Sequence, residues 1–184
     1  MSQRRKIVLC LVVLSCATGL IFASNEPESA SAQSGSRIGT AQPAQTFESK
    51  FWNYLQDAQY RNWAPAPGQK EGVYPGQSPH GAFLKMYLNR KAIANPKNMP
   101  QGSIIVKENF GKDGKTLMAV TVMYRVKGYN PQGNDWYWVK YKPNGSVALT
   151  PPAKGSKRIA GRFKSCIECH SGSDGNDFAF FNDK

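Results

Sequence analysis

Apolar residues in the middle of this chain recur first at intervals of three and four, then at every second position. Phe47, Phe51, Leu55 and Ala58 follow Thr46 at helical spacing. That spacing puts them on one helical face, and the Thr46 side chain can accept from an unpaired amide of the first turn. One amphipathic helix is predicted. The two prolines of "APAPGQ" are expected to end it, since proline lacks an amide hydrogen and crowds the preceding turn. "VYPGQSPHG" reads as a loop from its proline and glycine content.

Beyond that loop the period becomes two. "AFLKMYLN" alternates weakly, whereas "GSIIVKENF" sets Ile104, Val106 and Phe110 against Ile105, Lys107 and Asn109. "LMAVTVMYRVKGY" is the longest β-prone run, and "DWYWVKY" sets Tyr137, Val139 and Tyr141 against Trp136 and Trp138. "GKDGK" and "NPQGND" separate the last three runs as hairpin-type loops, and "KPNGS" carries an Asn-Gly turn signal. The pattern predicts an α+β domain: a mainly antiparallel sheet of four or five strands, an N-terminal helix and a C-terminal helical or looped tail.

The first residues follow neither period. "MSQRRK" is basic and "IVLCLVVLSCATGLIF" is continuously apolar, which reads as a signal peptide over residues 1–23, cut after Ala23. Two alternatives stay open: an uncleaved membrane anchor, or a lipoprotein modified at Cys16 of the lipobox-like "VLSC". Residues 24–45 are small and polar, too poor in large apolar groups to offset the entropy of ordering, and are expected to form a flexible linker. The folded unit is then Thr46–Lys184, enough for one core.

Composition changes this picture at two points. Losing Arg4, Arg5 and Lys6 with the leader lowers the formal charge from +12 to +9, so the exported chain stays basic. Scattered lysines and arginines suit a solvated surface or a docking face for an acidic redox partner, and argue against nucleic acid. Cysteine usage is the second point. Cys10 and Cys16 lie in the leader, leaving Cys166 and Cys169 as the mature pair.

That pair sits in "CIECH". Two thiols and an adjacent histidine match c-type haem attachment, in which the thiols meet the haem vinyl groups and His170 binds the iron. A closed zinc site wants four donors, and among the usual nitrogen and sulfur donors of the mature chain only His80 remains beyond this motif. A thioredoxin-like dithiol wants a βαβ setting, which the pattern lacks. Haem is the reading adopted. A second axial ligand would come from His80, Met86, Met99, Met118 or Met123. Met118 and Met123, in a central strand run, are expected to pack in the core, and no distal-ligand signature stands out.

The segments "SPHGAFLKMYLN", "MPQGSIIVKENF", "VTVMYRVKGYNPQGNDWYWVKY" and "CIECHSGSDGNDFAFF", in this order, resemble the cytochrome P-460 family, which includes the cytochromes c′-β. The resemblance covers nearly everything from the mid-seventies onward. It implies a mainly antiparallel fold, often dimeric, with one haem c in an exported, periplasmic protein. It further implies a lysine bonded to the haem macrocycle in members that oxidise hydroxylamine, partly with nitric oxide as co-reactant. The family pattern Gly-x-x-x-x-Lys-Glu falls on "GSIIVKE", which makes Lys107 the candidate crosslinking and catalytic residue. Glu108 faces the other way in a regular strand and is expected to make a structural or surface contact. Asp135 and Lys85 are candidate polar groups of the pocket.

Three functions follow as expectations. The first is redox chemistry on hydroxylamine or nitric oxide at an open distal iron. The second is gas binding in an apolar pocket, to which Phe83, Phe110 and Tyr124 could contribute. The third is simple electron transfer with a partner protein, one Met or His closing the sixth position. A homodimer, and a membrane tether by lipid or uncleaved leader, complete the expected associations.

Overall fold

The structure, a computed structural model, describes residues 44–182 apart from Lys70 and Asn176; the apolar leader and nearly all of the polar stretch lie outside the described residues. Helix α1 runs Phe47–Asp57, and the Thr46 side chain accepts from the Ser49 amide at its start, as the spacing predicts. Phe51 and Leu55 are buried, while Phe47 lies half open at the helix edge. The helix stops well short of the prolines. Gln59 takes a left-handed conformation, and a single 3₁₀ turn at Tyr60–Asn62 redirects the chain.

Six strands follow: β1 Tyr74–Pro75, β2 Phe83–Leu88, β3 Ile104–Phe110, β4 Leu117–Arg125, β5 Trp136–Tyr141 and β6 Ala160–Gly161. They form one antiparallel meander in sequence order. The period-two reading thus found β2–β5. It missed the two-residue edge strands, and β1 lies inside the segment expected to be loop. It also missed the five-residue helix α2, Arg90–Ala94, whose first turn is capped by Asn89, the residue after β2. Helix α3, Lys164–His170, carries "CIECH".

Both faces of the sheet are covered, and the alternation within β3 decides what each one does. Ile104 and Val106 point with Val120, Val122, Tyr137 and Tyr141 toward Phe51, Leu55 and Tyr60 of the N-terminal segment. Ile105 points the other way, with Leu88, Met123, Trp136 and Trp138, toward α2 and the C-terminal tail. Glu108 falls on the first face and is buried. Its Oε1 accepts from Tyr60 Oη at 2.8 Å and Arg61 Nε at 2.7 Å, and its Oε2 from Tyr87 Oη at 3.0 Å. A buried carboxylate with three donors is tolerated where an unpaired one would not be. Glu108 is therefore the structural contact its parity suggests, and the opposite face is left to Lys107. Among the described residues no helix is long and apolar enough to cross a membrane.

Candidate functional site

Helical spacing within α3 puts Cys166 and His170 one turn apart, with Cys169 between them on the same side. All three line a cleft between the second sheet face and the tail, of about 990 Å³ with its open mouth included. Its wall is largely apolar, formed by Met86, Ile105, Met123, Phe163, Phe180 and Phe181. Burial pushes the Cys166 thiol up to about 11, so it stays a neutral thiol.

His170 is buried, and its ring is fixed from behind. Its Nδ1 lies 2.7 Å from the Phe178 carbonyl oxygen. A carbonyl can only accept, so Nδ1 carries the hydrogen and Nε2 keeps a lone pair. Burial, partly opposed by that hydrogen bond, lowers the imidazole pKa to about 4. The ring is neutral at pH 7, as a metal ligand must be. The indole of Trp138 packs edge-on against it, with ring centres 4.6 Å apart.

The Phe178 carbonyl is itself held. Asp177, almost wholly buried, accepts from the Met99 amide at 2.6 Å and from Arg125 Nη1 at 2.5 Å, and its own carbonyl accepts from Trp136 Nε1 at 2.8 Å. Arg125 Nη1 also donates to the Met99 carbonyl. Phe178 then turns through a left-handed conformation, φ 58°, next to the oxygen that His170 binds. Neither Arg125 nor Asp177 stood out as a site residue from sequence. The only signal was an acidic residue beside Phe178 in the tail.

Lys107 reaches the same cleft from β3, opposite Met86 of β2 and Thr121 of β4. Burial, opposed by the nearby Cys169 sulfur, lowers its pKa from 10.5 to about 8. Of the five candidates for a second axial ligand, His80, Met86 and Met123 line the cleft, whereas Met99 and Met118 do not. Met99 is buried beneath the tail, where its backbone binds Asp177. Met118, expected in the core, is 58% exposed; it falls at a register shift, where Asn109 pairs with Ala119 and Phe110 with Leu117, so no residue of β3 stands opposite it.

Other expectations are corrected. Phe83, Phe110 and Tyr124 do not line the cleft. Tyr124 packs on Phe51 of α1 across the sheet, with ring centres 5.2 Å apart. The aromatic wall comes instead from Phe163, Phe180 and Phe181, which follow the sheet in sequence and carry no strand periodicity to announce them. Lys85 has the parity of Tyr87, over whose ring its amine lies on the far face. Asp135 braces the β4–β5 loop by accepting from the Gly128 and Asn130 amides.

Cys, Cys and His thus converge on one apolar cleft. A family profile for cytochrome P-460 matches residues 57–181, about two thirds of the chain. The chain belongs to the cytochrome P-460 family. It is a c-type haem cytochrome with haem c as its cofactor. No curated protein matches it.

The residues present fit that cofactor. Two thiols and a neutral imidazole share one wall of a largely apolar cleft. Trp138 Nε1, buried at the cleft without a protein acceptor, fits a group that brings its own acceptors, as haem carboxylates do. The cleft also contains Lys140, a cation for the same carboxylates. Among the described residues no group of three or more His, Cys, Asp and Glu could hold a metal ion alone.

Proposed function

We propose that this cytochrome P-460 family member is an exported mono-haem protein that carries out redox chemistry on small nitrogen compounds, hydroxylamine or nitric oxide. In this reading Cys166 and Cys169 would form the thioethers by adding to the haem vinyl groups and His170 would bind the iron. Lys107 would bond to the macrocycle, its nitrogen replacing a macrocycle hydrogen with two electrons and two protons passed to an external oxidant of the dioxygen or peroxide class. The observation that carries it is the placement of the Lys107 amine in the cleft of "CIECH". With its pKa at about 8, about a tenth of the amine is neutral and nucleophilic at pH 7. The haem supplies the electron store and iron site when bound. The chain's residues hold it, exclude water with an apolar wall, and set the imidazole's tautomer.

Export to the periplasm through residues 1–23, a redox partner for the basic surface, and a homodimer belong to the same proposal. A lipid or uncleaved-leader tether is its alternative form. The test is single-turnover mixing of the oxidised, c-type-matured protein with hydroxylamine. Reduction of the haem supports the reading. An unchanged haem spectrum at saturating hydroxylamine rejects it.

The electron-carrier reading is favoured by one observation. His80 also faces this cleft, close to His170.

A further inference from the structure

His80 lies in the loop before β2, and its ring is clamped as firmly as that of His170. Asn109 Oδ1 is 3.0 Å from His80 Nδ1 and accepts from the Gly81 amide at 3.2 Å. The Gly81 amide can only donate, so the oxygen of Asn109 faces this loop. The Asn109 amide nitrogen is spent on the Lys107 carbonyl, at 2.8 Å, and on other acceptors of β4. His80 Nδ1 must then carry the hydrogen, which leaves the Nε2 lone pair free. Asn109 is 2% exposed and comes from the central strand β3, so the clamp is part of the rigid sheet.

Two imidazoles on one cleft therefore each have Nδ1 tied to an oxygen and Nε2 unprotonated. This is the arrangement found behind metal-bound histidines, where the second ring nitrogen donates to an acceptor. Their ring centres are 6.2 Å apart. An imidazole nitrogen binds a first-row metal at about 2 Å, with the ring centre about 1 Å farther, so two imidazoles on opposite sides of one metal stand about 6 Å apart. A histidine that instead hydrogen-bonded a small ligand on the iron would need about 9 Å, adding a metal–ligand bond and a hydrogen bond. The observed spacing matches the first case.

We infer that His80 is the second axial ligand of the haem iron, opposite His170. The inference rests on the haem reading proposed above. It makes the resting iron six-coordinate, with two nitrogen ligands. Hydroxylamine, nitric oxide or carbon monoxide then reaches the iron only as His80 Nε2 leaves it, and the proposed chemistry begins with ligand exchange.

The test compares the spin state of purified, c-type-matured full chain with that of His80→Ala, by absorption and electron paramagnetic resonance. The wild type is expected to be low-spin in both oxidation states. The variant should lose the low-spin signal while keeping covalent haem, and added imidazole should restore it. Carbon monoxide should bind the ferrous variant roughly tenfold tighter or more, because the wild type's apparent affinity is reduced by the fraction of iron that His80 leaves free. A high-spin wild type, or a low-spin signal unchanged in His80→Ala, overturns the inference alone. Wild-type protein without covalent haem overturns the haem reading as well. If the variant misfolds, a high-spin wild type, or a low-spin spectrum of histidine–methionine rather than bis-histidine ligation, still overturns the inference.

Discussion

At the residue scale, the chemistry of the cleft rests on side chains that never touch it. Asp177 holds the tail at four points, through Met99, Arg125, Asn134 and Trp136, and Phe178 delivers the carbonyl that sets the His170 tautomer. Asp177→Ala leaves Arg125 buried without its carboxylate, and removing one partner of a buried pair costs about 3–5 kcal/mol. Denaturant unfolding of the holoprotein should show that loss, and a loss below about 1 kcal/mol would contradict the anchoring role. Lys107→Leu should abolish any bond to the macrocycle and leave the thioethers intact, as read by tryptic mass spectrometry and the absorption spectrum. An unchanged spectrum would remove Lys107 from the account. "CIECH" was legible because its residues meet within one helical turn. Asn109 and Asp177 were not, because their partners lie 29 and 78 positions away.

At the element scale, the sheet places the site by parity. Lys107 and Asn109 share the cleft face of β3, Glu108 takes the other, and a one-residue slip would exchange their roles. The loop holding His80 meets this strand so closely that a β-carbon at Gly81 would lie 2.5 Å from the Phe110 carbonyl oxygen. Gly81→Ala must push the loop away, at about 1–3 kcal/mol, and should raise the high-spin fraction of the haem. A fully low-spin Gly81→Ala protein would show that this approach does not position His80. Thr46→Ala removes the cap of α1 and should cost about 1 kcal/mol in denaturant unfolding, without change in the haem spectrum. The strands β2–β5 were legible because each is long enough to show period two. Strands β1 and β6 and helix α2 are too short to show any period. The end of α1 was misplaced because a single left-handed residue, Gln59, carries less sequence signal than two prolines.

At the scale of the whole molecule, the two faces of one sheet divide the work. The α1 face is held by a tyrosine-rich core. Burial first, and then the Glu108 carboxylate, raises the pKa values of Tyr60 and Tyr87 well above 10.0, while burial beside Glu48 does the same for Tyr137 and Tyr141. Above pH ~10 the unfolded chain releases these protons while the folded chain retains them, so stability is full below that pH and falls as pH rises beyond it. Denaturant midpoints should therefore drop between about pH 9 and pH 11, with the phenolate absorbance of these four tyrosines appearing only on unfolding. Midpoints that hold steady across this range would contradict the burial of the four hydroxyls. The second face, with the tail and α3, is free to serve the cofactor.

The central claim is that "CIECH" bonds a haem whose iron His170 takes from one side of this cleft. The absorption spectrum of the ferrous, ligand-free full chain, taken before and after acid extraction, tests it most directly. One covalent haem per chain is predicted, retained on extraction, with a red-shifted Soret band if Lys107 has bonded to the macrocycle. A chain that emerges from c-type maturation without bound haem would contradict the account at its base.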